Sequence, residues 1–126
     1  MPSQREDCLF CSIAREGAYV NKTKGFVAIH DINPRAKVHI LVIPERHVDT
    51  FREVEAFSAK ETKRMLEFVA DTAREVGLSD YRVLVNVGRS AGQTVFHLHW
   101  HVLGGDDASG EVVPAAVATA EAEADG

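Results

Sequence analysis

Residues 93–105 read "QTVFHLHWHVLGG", and three of the six histidines of the chain, His97, His99 and His101, stand at alternate positions within it. In an extended strand successive side chains point to opposite faces. Val95, His97, His99 and His101 then share one face, and Phe96, Leu98, Trp100 and Val102 share the other. The second set reads as a core face that needs a cover. The first is a row of groups able to act as nucleophile, acid, base or metal ligand. At about 3.3 Å of rise per residue, His97 and His101 start about 13 Å apart, too far for one ion to gather all three. Separate roles along a substrate are the better reading. Before the row lies Gly92-Gln93-Thr94, able to offer backbone N–H groups and a hydroxyl to a phosphate. It is no Walker loop, since it has no lysine and leads into a strand. Histidine nucleophilic catalysis at phosphorus is favoured over a three-histidine metal centre.

The cover is found upstream. Residues 58–76 read as the one long helix, opened by a capping box of Ser58 and Glu61 and closed at Gly77. Met65, Leu66, Val69, Ala73 and Val76 supply its apolar stripe. "FVAIHDI" (26–32), "HILVIP" (39–44), "YRVLVNVG" (81–88) and residues 94–105 read as strands, and "RSAGQ" as a hairpin loop between the last two. Residues 9–15 read as a brief helix. The predicted class is α+β, an antiparallel sheet of about five strands with one long helix on one face.

The 126 residues are 45% apolar and 26% charged, ordinary for one soluble domain. The net charge of -5 is concentrated: from Asp106 onward there are six acids and no Lys or Arg, so residues 1–105 come to +1. That excludes bulk electrostatic binding to nucleic acid. Residues 1–105 form the predicted catalytic domain, and the acidic, Ala-rich stretch 106–126 is predicted to be disordered. No apolar run is long enough to span a membrane, and "MPSQREDC" lacks the apolar segment of a signal peptide. These point to a cytoplasmic protein, in which Cys8 and Cys11 are metal ligands or redox groups rather than a structural disulfide.

The run from Gln93 resembles the His-φ-His-φ-His-φ-φ signature of the histidine triad (HIT) superfamily, where φ is apolar. "IHDINPRAKVHILVIPERH" (29–47) is similar to that family's segment with an acidic ribose ligand and a further histidine, and "LVNVGRSAGQTV" (84–95) to its phosphate-binding loop. The motifs cover most of residues 8–105 in order and sit closest to the Hint branch. The resemblance implies a HIT-like fold, in a homodimer. It implies a phosphoramidase-type nucleotide hydrolase, acting on a purine nucleotide such as AMP or GMP. His99 would attack the α-phosphorus and form a nucleotidyl-histidine that water hydrolyses. His101 would bind the phosphoryl oxygens, with His97 and His39 lining the site. Asn86, Gly92, Gln93, Thr94 and Val95 would form the phosphate loop, Asp31 would hold the ribose, and Phe10, Ile13, Ile29 and Ile32 would form the base pocket. Some branches pair two cysteines with two histidines on zinc, which implies a Cys8, Cys11, His47, His97 site. A dinucleoside polyphosphate hydrolase of the Fhit type and a regulatory nucleotide-binding module remain as alternatives. The segment after the triad, which shapes leaving-group choice in Hint proteins, is replaced here by the acidic stretch.

Overall fold

A computed structural model describes residues 7–105; the predicted disordered stretch 106–126 lies outside the described residues. Five strands form one antiparallel sheet: β1 (Asn21–Thr23), β2 (Phe26–His30), β3 (Val38–Pro44), β4 (Tyr81–Leu84) and β5 (Trp100–Gly104), in the spatial order β1-β2-β3-β5-β4. Two α-helices accompany it, α1 (Leu9–Glu16) and α2 (Ala59–Glu75).

Local chemistry fixes both ends of α2. The Ser58 hydroxyl accepts the Glu61 N–H at 3.1 Å, and the Glu61 carboxylate accepts the Ser58 N–H at 2.7 Å. At the other end Gly77, with φ +82°, lets Leu78 N–H reach Ala73 O at 2.9 Å and Gly77 N–H reach Arg74 O at 3.0 Å. That pair of bonds satisfies carbonyls the helix cannot. Met65, Phe68, Val69, Thr72 and Ala73 form the buried stripe. Leu66 belongs to the expected stripe, yet it is exposed and Phe68 is buried. The stripe centres on Met65 and Val69, and Leu66 lies about 100° round the helix from Met65.

The sheet packs on both faces. Toward α2 it presents Phe26, Ala28, Ile40, Val42 and Val102, joined by Leu98 just before β5. Toward α1 it presents Val27, Leu41 and Ile43, closed by Phe10 and Ala14. The period of two along β2 and β3 makes this division.

Three expected strands are shorter than read, β2 ending at His30 rather than Ile32. The ladder of β4 stops at Leu84 rather than Gly88, and β5 begins at Trp100 rather than Thr94. In the register of β3 with β5, Val42 faces Trp100, so the ladder runs out as β3 reaches Pro44. Pro44 has no N–H to give, and its carbonyl accepts from the His97 ring instead, at 2.7 Å. Leu98 N–H turns to Val48 O at 2.7 Å. The alternation survives the loss of pairing. Leu98 lies in the α2-side core, while His97 and His99 lie against Phe10 on the other side. The three-residue β1 and a 3₁₀ turn at Phe51–Ala56 have no apolar alternation to announce them.

Candidate active site

His99 is 4% exposed, and its Nδ1–H donates to the carbonyl of His97 at 2.7 Å. That bond places the proton on Nδ1 and leaves Nε2 with a lone pair. The edge of Phe10 stands against the ring, with centroids 4.9 Å apart. Burial, and then the neighbouring His101, push the pKa of His99 down to about 4, against the weaker pull of the His97 carbonyl. The ring is therefore neutral at pH 7.

Register explains the next contact. His101 on β5 is directly opposite Leu41 on β3, so His39, two residues before Leu41, is its diagonal neighbour on the same face. His39 Nε2 lies 3.0 Å from His101 Nδ1 and 3.3 Å from Asp31 Oδ2. The backbone N–H of Arg35 donates to His39 Nδ1 at 3.1 Å. Nδ1 is thus an acceptor, and Nε2 carries the hydrogen. The shorter contact directs that hydrogen to His101 Nδ1, which leaves the His101 proton on Nε2. Side by side stand an unprotonated nitrogen on His99 and an N–H on His101, in rings 5.0 Å apart. A nucleophile beside a hydrogen-bond donor is the pairing that displacement at phosphorus needs.

His97 belongs to a different group. The thiol of Cys8 starts α1 by accepting the Cys11 N–H at 3.3 Å, and one helical turn brings Cys11 alongside. Cys8 Sγ is 3.2 Å from His97 Nδ1, Cys11 Sγ is 3.5 Å from it, and Cys11 Sγ is 3.3 Å from His47 Nδ1. All four ligand atoms lie within 4.8 Å of one another. A tetrahedral ion at usual zinc bond lengths separates adjacent S and N ligands by about 3.6 Å. The far nitrogens complete the fit. His97 Nε2–H donates to Pro44 O and His47 Nε2–H to Asp49 Oδ1, each at 2.7 Å. Both Nδ1 lone pairs therefore point inward, as metal-bound histidines require. The four side chains fit a tetrahedral cation of the zinc type.

The expected phosphate loop spans residues 86–95. Gly92 ends a 3₁₀ turn at Arg89–Ala91, Gln93 is 1% exposed, Thr94 is exposed, and Val95 packs toward Phe10. Asn86 is half-buried. Arg89 stacks on Phe96 at 5.7 Å. Asp31 is buried, with one oxygen accepting the Asn33 N–H at 2.8 Å and the other toward His39. Of the expected base pocket, Phe10 is buried, Ile13 and Ile29 are half-buried beside it, and Ile32 is 86% exposed. Two residues escaped the sequence reading: Asp49, which orients His47, and Gln93 in its role as a bridge. The signal for Asp49 was available, since an acid two residues after a candidate ligand can reach its ring.

Among the described residues no helix is long and apolar enough to cross a membrane. Residues 15–108 match the HIT domain family. A HIT-like protein of Helicobacter pylori is 40% identical over 83 residues, covering 64% of this chain and 77% of that one. The structure of a HIT family hydrolase from Clostridium thermocellum is 35% identical and covers 86% of this chain and 99% of its own, with a TM-score of 0.77. That of a zinc-bound histidine triad family protein from Mycobacterium smegmatis is 28% identical over 94% of each chain, with a TM-score of 0.64. With its triad in place and three quarters of its length matched, this chain belongs to the HIT domain family.

Proposed function

We propose that the chain is a nucleotide hydrolase or nucleotidyl transferase that cleaves a purine nucleoside phosphoramidate, or a similar nucleotide conjugate, at the α-phosphate. The observation that carries this reading is the fixed tautomer of buried, neutral His99. Its Nε2 lone pair attacks phosphorus, a P–N bond to the ring forms, and the bond from phosphorus to the leaving group breaks. The leaving amine departs with a proton taken from solvent. Water then adds to phosphorus and gives up a proton to solvent, the P–N bond to His99 breaks with its electron pair returning to Nε2, and a nucleoside monophosphate is released. One hard displacement becomes two easier ones. His101 Nε2–H donates to the phosphoryl oxygens as their charge grows. The 86–95 loop holds the phosphate, Asp31 faces the ribose, and Phe10, Ile13, Ile29 and Ile32 contact the base.

Zinc is the cation proposed for Cys8, Cys11, His47 and His97, in a structural role. When bound it supplies cross-linking between the N-terminal segment and the triad, with all four positions filled by protein. A homodimer is part of the same proposal. Tyr81 and Val83 on edge strand β4, and Leu66 on α2, leave apolar surface for a second copy. Mass spectrometry of a quenched reaction with an adenosine phosphoramidate tests the mechanism. A nucleotidyl adduct on His99, absent from His99→Ala, is expected. Full turnover by His99→Ala refutes it. Turnover of diadenosine polyphosphates in preference to phosphoramidates moves the assignment to the alternative hydrolase.

A further inference from the structure

The four-ligand cluster and the phosphate loop are joined by a bonded path outside the triad. Residues 47–49, just after β3, carry it. The His47 ring donates to the Asp49 carboxylate at 2.7 Å. The backbone carbonyl of the same Asp49 accepts from Gln93 Nε2 at 2.8 Å. The buried Gln93 amide then spends its remaining capacity on its own loop. Its Nε2 donates to Val95 O at 3.1 Å, and its Oε1 accepts the Gly88 N–H at 2.9 Å. Gln93 N–H returns to Gly88 O at 3.0 Å. Gln93 therefore closes residues 88–95 on themselves, and Asp49 O is the acceptor that ties its side chain to residues 47–49. Behind the loop stands the Arg52 guanidinium, within 2.7 Å of where a Cβ on Gly88 would lie.

We propose that Asp49 and Gln93 are positioning residues that couple metal occupancy of the Cys8–Cys11–His47–His97 cluster to the affinity of the 88–95 loop for a nucleotide phosphate. This rests on the zinc and nucleotide readings above. A cation on Nδ1 fixes the His47 ring and strengthens its Nε2–H as a donor. The carboxylate of Asp49 is then held, its carbonyl stays aimed at Gln93, and the loop keeps its phosphate-binding shape. Without the cation, His47 has only weak thiol contacts on that side, and the loop must be ordered by the nucleotide itself. Coupling of this kind is reciprocal, so bound nucleotide tightens metal by the factor by which metal tightens nucleotide.

The test measures both binding equilibria. AMP affinity is taken on zinc-loaded and zinc-stripped chain, and zinc affinity by dye competition with and without saturating AMP. The expected factor is about tenfold, equal in both directions. Gln93→Met and Asp49→Ala are expected to keep zinc near one equivalent and bring the factor close to one. Asp49→Asn, which retains an oxygen acceptor for His47, keeps most of it. A direct charge effect between ion and phosphate would survive Gln93→Met, whereas the bonded path does not. Cobalt-substituted chain, folded throughout, supplies a second readout: AMP shifts its ligand-field spectrum in the unaltered chain and leaves that of Gln93→Met unchanged. Binding of zinc and AMP with no mutual effect overturns the coupling alone, as does a full factor in Gln93→Met. A chain that takes up no zinc, or no AMP, overturns the functional reading and the coupling with it.

Discussion

His39 does not reach phosphorus in the proposed reaction, yet it decides which nitrogen of His101 carries the proton. Replacing it with leucine tests that logic. His39 is 2% exposed, and its Nε2–H faces His101 Nδ1 at 3.0 Å and Asp31 Oδ2 at 3.3 Å. Leucine leaves buried His101 Nδ1 without its donor and takes away the His39 Nδ1 acceptor of the Arg35 N–H. Each unmet group costs about 1–3 kcal/mol, and burying the leucine side chain returns about 1.5 kcal/mol or more. His39→Leu is therefore expected to lose about 1–4 kcal/mol of stability in urea unfolding. The kinetic effect is larger in proportion. Without a donor at Nδ1, His101 is free to carry its proton there and present a lone pair to the phosphoryl oxygens. Loss of one such donor typically costs about 10²–10³ in kcat. His39→Gln offers a side-chain N–H in nearly the same place and is expected to recover at least tenfold of that loss. Steady-state turnover of a fluorogenic adenosine phosphoramidate, below each variant's unfolding midpoint, gives kcat and KM. KM should change little. If His39→Leu retains kcat within twofold, or if leucine and glutamine fall equally, His39 does not set the His101 proton.

Three further outcomes follow from the same geometry. His99, held down to about 4 when folded against 6.5 when unfolded, takes up a proton on unfolding at any pH between those values. Stability is full above about pH 6.5 and falls as pH drops through the window, by up to about 3 kcal/mol; urea unfolding at pH 7.5 and 5 should show a slope that His99→Gln reduces, and an equal slope in both counts against a buried neutral ring. Removing zinc should destabilise the chain by about 2.7 kcal/mol or more where free zinc exceeded its Kd a hundredfold, lowering Tm by about 10 °C or more; a Tm indifferent to chelator would sink the structural role. Leu98→Ala should cost about 2–5 kcal/mol yet leave zinc stoichiometry intact, because its side chain enters the α2-side core; loss of zinc from the folded variant would contradict the division of faces.

The alternation at 95–102 was legible because it depends on burial, which apolar residue types report directly. Where the ladder ends was not, because that turns on Pro44 opposite the triad, a non-local pairing. Helix α2 was legible to its last turn: Ser58, Glu61 and Gly77 act on their own neighbours. Its stripe was read one position wide at Leu66, since apolar character alone does not say which flank of a helix meets the sheet. Gln93 could be placed in a loop but not given its bond to Asp49 O, 44 residues away. A glutamine bonded to a backbone carbonyl leaves no trace in the identity of the residue that owns the carbonyl.

Residue type alone also fails to separate the two histidine clusters. Cys8, Cys11, His47 and His97 form one candidate metal group, and Asp31, His39 and His101 form another of similar compactness. The direction of the hydrogen bond at the far nitrogen separates them. Around the first group the far nitrogens meet acceptors, Pro44 O and Asp49 Oδ1, so they hold the protons and the inner nitrogens are lone pairs. Around the second, the far nitrogen of His39 meets a donor, the Arg35 N–H, so the proton is forced inward to Nε2. A cation there would have to displace that proton, and moving it to Nδ1 would break the bond from the Arg35 N–H. The second group is thus disposed to orient a proton and the first to bind a cation. His97 and His101, four residues apart in one run, fall on opposite sides of that line because one packs against Pro44 and the other against His39.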